Sequence, residues 1–160
     1  MTATPAHPTT HARPPARPHA HAGLATAILI VGHLGALAPQ TALAADTPTG
    51  LQAQLASEAR TADPRFTGFS AVRGRAFFSS RHGGDWSCTT CHTDNPSAAG
   101  SHKVTGKTIE PLAPAANPAR FTRADKVEKW FKRNCNDVLQ RPCTAQEKGD
   151  VIAYLLTVRP

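Results

Sequence analysis

In the run Trp86-Ser87-Cys88-Thr89-Thr90-Cys91-His92, two cysteines stand two residues apart and a histidine follows at once. That spacing is the attachment signal of a c-type haem. On a tight turn the two thiols reach the two vinyl groups of one porphyrin, and the adjacent imidazole reaches the iron from the same side. Two other chemistries use a Cys-x-x-Cys pair. A thioredoxin-like redox couple wants a preceding strand in a βαβ setting, whereas here a helical segment and the turn Arg81-His82-Gly83-Gly84 come first. A zinc site wants a second pair of ligands two to four residues apart; Cys135 and Cys143 are eight apart and at least 44 residues away. Cys88 and Cys91 are therefore read as thioether links to one covalent haem c, and His92 as the proximal iron ligand.

The other face of the iron is harder to assign. Methionine is the usual sixth ligand of an electron-carrying c-type cytochrome, and the sole methionine is Met1, in a segment that reads as a leader. Beyond that leader the histidines are His82, His92 and His102. His82, beside a Gly-Gly turn, reads as solvated. His102, in a loop ten residues past His92, is a distal candidate, and Lys103 a poorer one. Asn134 stands out because it continues the apolar stripe Val127, Trp130, Phe131 at i, i+3, i+4, i+7, where leucine is expected. A buried asparagine needs partners for its amide. Either it bonds a backbone carbonyl at the helix end, or it faces the iron. Cys135 is its neighbour, and a bridge to Cys143 closes a short loop worth roughly 2–3 kcal/mol in the chain-entropy account. Such a bridge would fix the helix end and so the aim of Asn134.

Few elements are needed to position these groups. Leu51 to Ala62 reads as helix, with Leu51, Leu55 and Ala59 on one face, ended by Asp63-Pro64. Ser70 caps a helix over Ala71 to Ser79. Its interior Gly74 costs about 1 kcal/mol relative to Ala, so a close helix crossing at Gly74 is expected. Thr93 to Pro118 is rich in Pro, Ala, Gly and Asn and reads as a long loop wrapped on a flat cofactor. A strong helix starts at Thr122, with Asp125 as a capping-box-like partner. A full capping box, Thr144 to Glu147, opens the last helix, where Val151, Tyr154, Leu155 and Val158 share a face. There is no internal repeat and no convincing strand. Behind the iron ligand, Pro111 or Pro114 is a candidate carbonyl partner for the His92 ring N–H, and Arg75, Arg120 and Arg123 are candidate propionate partners. Trp86 is expected against the haem edge or core.

The chain has 160 residues and a formal charge of +7. Residues 1–44 read as an export signal: Arg13 and Arg17 in the n-region, a short apolar run from Gly23 to Leu37, then small residues around Ala42 to Ala45. The apolar run is short for a span of ~20 residues. The remainder carries 16 basic and 11 acidic residues, a charge of +5 that is too scattered for a nucleic-acid stripe and suits docking to acidic partners. Residues 45–69 form a helical extension and 70–160 the haem domain. An exported, oxidising location permits the Cys135–Cys143 disulfide.

From Ser70 to Val158 the sequence resembles the SHP-type (DUF1924) cytochromes c. The likeness rests on CTTCHTDNP, on the loop from Lys103 to Thr122, and most specifically on KVEKWFKRNCNDVLQRPCTAQEKGD. The resemblance implies an all-α, class I cytochrome c-like fold of about four helices and long loops around one covalent haem. It implies Cys88 and Cys91 as the haem cysteines, His92 as proximal ligand, Asn134 as distal ligand, Cys135–Cys143 as a disulfide, and a pocket lined by Trp130 and Phe131. It further implies that the asparagine leaves the iron on reduction, so that oxygen, nitric oxide or carbon monoxide binds, and that a dihaem cytochrome c and a membrane b-type cytochrome supply electrons. The competing reading is a plain electron carrier with His92/His102 ligation. An oxygen-, peroxide- or nitrogen-oxide-reducing enzyme is a third, without a recognisable distal His–Arg pair to support peroxide chemistry.

Overall fold

Helix starts are set by side chains that take up orphan amides, and three of the five helices follow that rule with their own N-cap residue in the computed structural model, which describes residues 46–160. Thr47 caps α1 (Pro48–Ala62) by accepting from Gly50 N at 3.0 Å, with Pro48 at the first helical position. This cap carries the helix three residues ahead of the expected Leu51 start. Ser70 caps α2 (Ala71–Ser79) as expected. Cys88 opens the one-turn α3 (Thr89–His92) with no capping side chain; Thr90 N donates to the Ser87 backbone carbonyl at 3.1 Å instead. The capping box of α5 (Ala145–Thr157) is complete in both directions.

At α4 (Ala124–Leu139) the structure corrects the sequence reading. It starts two residues later than Thr122, with Arg123 at the cap and no capping side chain of its own. Thr122 Oγ1 donates to Ala119 O, and the Asp125 carboxylate takes both forks of Arg123. The orphan amide is met from far away: Asp46 Oδ1 accepts from Ala124 N at 2.7 Å. The Asp125 carboxylate is thus engaged by a stronger charge-assisted partner.

Gly74 and Gly149 let α2 and α5 cross closely. A Cβ at Gly74 would collide with the carbonyl of Asp150 and lie 3.0 Å from Val151 N, while one at Gly149 would strike the Phe69 ring. The expected reason for a mid-helix glycine is therefore borne out. Beside the crossing, buried Asp150 accepts from Ser70 N at 2.6 Å and from Arg73 Nε and Nη2 at 2.8 and 2.9 Å. Around it lies the core: Leu51 and Leu55 of α1, Phe78 of α2, Phe121, and Val151, Ile152 and Leu155 of α5. Phe121 reaches it with φ at 60°, a conformation uncommon for a bulky side chain.

The proline-rich segment is less irregular than its composition suggests. β1 (Gly100–Ser101) and β2 (Thr108–Ile109) pair antiparallel, a short ribbon where no strand was expected. Beyond it, Pro96 O accepts from Leu112 N at 2.8 Å and Ala113 N at 3.0 Å, closing the segment back on itself. The disulfide Cys135–Cys143 ties the last third of α4 to the approach to α5, with Cα atoms 5.7 Å apart. The architecture is all-α apart from that ribbon. Among the described residues no helix is long and apolar enough to cross a membrane. The expected leader, residues 1–44, lies outside the described residues.

Candidate haem site

The thiol turn is built by hydroxyls. Ser87, 6% exposed, donates its N–H to Thr90 Oγ1 at 2.9 Å, and its Oγ lies 2.7 Å from Thr89 Oγ1. His92 N donates to Cys88 O at 3.0 Å. Cys88, Cys91 and His92, at i, i+3 and i+4, thereby share one face of a single turn. Gly100 lets β1 lie directly on this turn, since a Cβ there would collide with Cys91 O. Thr93 leaves the turn with φ at 61° and ψ at 169°, a sparsely populated combination that costs of order 1–3 kcal/mol. Ser87, Thr90 and Gly100 were not singled out from the sequence; hydroxyls flanking and filling the Cys-x-x-Cys pair were the signal available.

Both thiols are free and half-buried. Burial pushes the Cys88 thiol up to about 11, so it is protonated at neutral pH. The His92 imidazole is pushed down to about 4, first by burial and then by the Arg120 guanidinium. Its ring lies 6.2 Å from that of Phe78 at a 40° tilt. A neutral imidazole with a lone pair to offer and two reduced thiols beside it fit a covalently attached haem. Among the described residues no cluster of three or more His, Cys, Asp or Glu could hold a separate metal ion.

The anticipated partners of that site fall in different places. Pro111 O accepts from Arg120 Nε at 2.9 Å and from Asn117 Nδ2 at 3.4 Å, and Glu110 O accepts from Arg120 Nη2 at 2.7 Å. The His92 ring has no hydrogen-bond partner among the described residues, so the expected Pro111 link to it is replaced by an arginine link. Arg123 is paired with Asp125 at 2.7 Å, and Arg75 is exposed. His82 is not solvated as expected: its Nε2 lies 2.8 Å from Phe77 O and its ring 4.2 Å from the Phe77 ring. His102 Nδ1 accepts from Val104 N and Thr105 N, each at 3.3 Å, and so caps the ribbon's turn.

On α4 the apolar stripe divides. Val127 and Phe131 pack against the core, and with Leu51, Leu55 and Lys148 they line a cavity of about 30 Å³. Trp130, 49% exposed, and Asn134 lie on the outer side and are not buried with them. At about 100° per residue the four positions span an arc of about 100°, and the core covers only its Val127–Phe131 side. Trp130 stacks under Arg133, whose guanidinium is 5.7 Å from the ring centre. Asn134 makes no side-chain hydrogen bond among the described residues, so the helix-end carbonyl reading of its amide is not what the structure contains. Cys135, next to it, is buried in the disulfide.

Known proteins share this fold. The family model described as DUF1924, a domain of unknown function, matches residues 64–155. Cytochrome c'' of Methylophilus methylotrophus is 45% identical over 103 residues, 62% of this chain and 72% of the relative. Its oxidised crystal structure superposes with a TM-score of 0.63 at 40% identity, covering 71% of this chain and 95% of that one. Its solution structure, which bears on the structural basis of haem-ligand detachment, gives the same score and identity over 71% and 94% of the two chains. The c-type cytochrome SHP of Cereibacter sphaeroides is 52% identical over 89 residues, 53% of this chain and 68% of the relative. Oxidised SHP, an oxygen-binding cytochrome c, superposes with a TM-score of 0.61 at 44% identity over 68% of this chain and 95% of that one. Family, fold and thiol turn agree: this chain belongs to the DUF1924 family and is an SHP-type cytochrome c with one covalent haem c.

Proposed function

We infer that this chain is a periplasmic electron-transfer cytochrome whose haem takes oxygen or another diatomic ligand once reduced. Cys88 and Cys91 hold the haem, His92 is the proximal ligand, and the Asn134 amide oxygen occupies the distal side in the oxidised protein. The bound haem supplies a one-electron couple and an iron able to take a gas. A neutral amide oxygen is a hard donor suited to ferric iron and a weak one for the softer ferrous state, so Asn134 withdraws on reduction. Trp130 and Phe131 flank it from either side of α4. Residues 1–44 act as a cleaved leader, 45–69 as an extension and 70–160 as the cytochrome domain. A dihaem cytochrome c and a membrane b-type cytochrome donate electrons, guided by the exposed Lys126, Lys129 and Lys132 on the outer side of α4.

The observation that carries this reading is the free Asn134 amide, on the exposed side of α4 one turn from Trp130, with the disulfide fixing the backbone behind it. The oxygen binding of SHP and the ligand detachment discussed for cytochrome c'' support it by kinship. His92/His102 ligation finds less support, because one nitrogen of the His102 ring is already engaged with two turn amides.

Absorption spectra of the purified holoprotein test it, ferric and ferrous, with and without carbon monoxide, for the native chain and Asn134→Ala. The native ferrous form is expected to be high-spin and to take carbon monoxide readily, and Asn134→Ala to change the ferric spectrum. An unaltered ferric spectrum in the variant removes Asn134 from the iron. A six-coordinate, low-spin ferrous form that resists carbon monoxide leaves an ordinary electron relay.

A further inference from the structure

The second half of α4 carries more positive charge than the chain compensates. Lys129, Lys132 and Arg133 are all exposed and stand at i, i+3 and i+4, a spacing at which like charges repel along a helix. Cations elsewhere on or beside the helices have carboxylate partners: Arg73 has Asp150, Arg123 has Asp125, Arg141 has Glu147 and Lys148 has Glu128. Glu128, four residues before Lys132, is thus taken by Lys148 instead. Lys129 and Lys132 form no ion pair among the described residues. Arg133 meets Asp137 only at 4.0 Å and lies over the Trp130 ring at 5.7 Å.

These side chains do not lie on a bare helix. With Asn136, Asp137 and Pro142 they line a groove of about 460 Å³. Its size falls among small-ligand sites, about 300–1,000 Å³, but its lining is polar where theirs is mostly apolar. One wall is α4. The other is Pro142, and it is fastened from several directions. The Cys135–Cys143 disulfide holds the next residue to α4, and Pro142 O accepts from Arg141 Nη1 at 2.9 Å. The same guanidinium is clamped by the Glu147 carboxylate of α5 at 2.9 and 2.7 Å. Gln140 turns the chain between the two walls with φ at 57°. A groove whose walls are already fixed loses little conformational freedom when it is filled.

We propose that the groove between α4 and Pro142 binds an acidic segment of a partner protein, whose carboxylates are taken by Lys129, Lys132 and Arg133. The groove sets three cations against one carboxylate, so an anionic occupant completes its charge. Alternate side chains of an extended segment recur every ~7 Å, close to the ~5–6 Å between neighbours on a helix face. Successive carboxylates therefore reach successive cations, and the Asn136 amide adds a donor beside them. The inference deepens the docking of electron donors along α4 given above by naming what α4 recognises, and it rests on that reading only for the partner's redox role.

The test is fluorescence anisotropy of a labelled short polyglutamate peptide titrated with the holoprotein, at low salt and again above ~0.1 M, where charges more than ~10 Å apart are screened. Saturable, salt-sensitive binding is expected. Lys129→Gln/Lys132→Gln should weaken it about five- to tenfold, the worth of two exposed ion pairs. Arg60→Gln/Lys107→Gln removes the same charge from α1 and from the approach to β2, at exposed side chains, and should stay within about twofold of the native affinity. Asp137→Asn removes the competing carboxylate and should tighten binding about two- to threefold, a gain that damage to the fold does not imitate. Absence of saturable binding to the native protein overturns the proposal. Equal losses in the two double variants would reduce it to attraction by net charge and overturn the groove, as would an Asp137→Asn protein that binds no tighter. Lysine-dependent sedimentation with phosphatidylglycerol vesicles, without saturable peptide binding, would assign this surface to a membrane and overturn the proposal as well. The carbon monoxide spectra of the native chain and Asn134→Ala are read separately: a gas reading that fails leaves the peptide titration standing, and a failed titration leaves the spectra standing.

Discussion

Gly74→Ala sets two effects of opposite sign against each other. Alanine improves an exposed helix interior by about 1 kcal/mol over glycine. At this position, however, the new methyl would meet the Asp150 carbonyl and Val151 N of α5. The obstacle is backbone, which cannot swing aside as a side-chain tip can. The two helices must part by on the order of 1 Å, a gap that forfeits a quarter to a half of the dispersion contact across it. Phe78, Ile152 and Leu155, no more than 1% exposed, lie in the core that this crossing closes. Burying each such side chain is worth about 1.5–3 kcal/mol, so the loss is about 2–4 kcal/mol and the net effect about 1–3 kcal/mol destabilising. Urea denaturation of the holoprotein measures it. With a slope of about 1–3 kcal/mol per molar, the midpoint should fall by about 1 M. Gly84→Ala is the control, since its nearest neighbour, Val138 O, is 3.5 Å from the new methyl, and it should be close to neutral. A Gly74→Ala protein as stable as the native one would refute the claim that a backbone-on-backbone approach sets this crossing.

The other expectations concern the supports of the site. Arg73→Ala leaves the buried Asp150 carboxylate, 6% exposed, with Ser70 N alone, and should cost about 3 kcal/mol in the same unfolding assay. The Glu147 carboxyl is held below its ordinary 4.5, chiefly by the Arg141 hydrogen bond. Its stabilisation is therefore present above pH 4.5 and lost as pH falls through the lower folded value. Comparing urea midpoints at pH 7 and below 4.5 checks the sign: Glu147→Gln should flatten the acid decline, and an equally steep decline would exclude Glu147 as a contributor. Replacing Cys135 and Cys143 by serine should cost roughly 2–3 kcal/mol and, if the bridge aims Asn134, broaden or shift the ferric spectrum as well. Asp46→Ala should cost about 1 kcal/mol, as cap losses do, with faster amide exchange confined to the first turn of α4.

Much of this protein is written locally. Cys88, Cys91 and His92 declare their chemistry because a single turn brings i, i+3 and i+4 together wherever it occurs. The helices α2 and α5 were legible for the same reason: Ser70 and the Thr144–Glu147 box act within three residues of themselves. Gly74 was legible as a packing site because a mid-helix glycine has an intrinsic cost that something must offset. What only the tertiary structure decided are relations between distant residues. The α4 start depends on Asp46, 78 residues away, and no local pattern contains that bond. The stripe of Val127, Trp130, Phe131 and Asn134 fits one helical face on paper, but the neighbours of α4 cover only part of that arc, leaving Trp130 and Asn134 outside. The Pro111 carbonyl found Arg120 and not His92, because long-range hydrogen bonds are settled by which donor the packed chain brings within 3 Å, and composition carries no record of that.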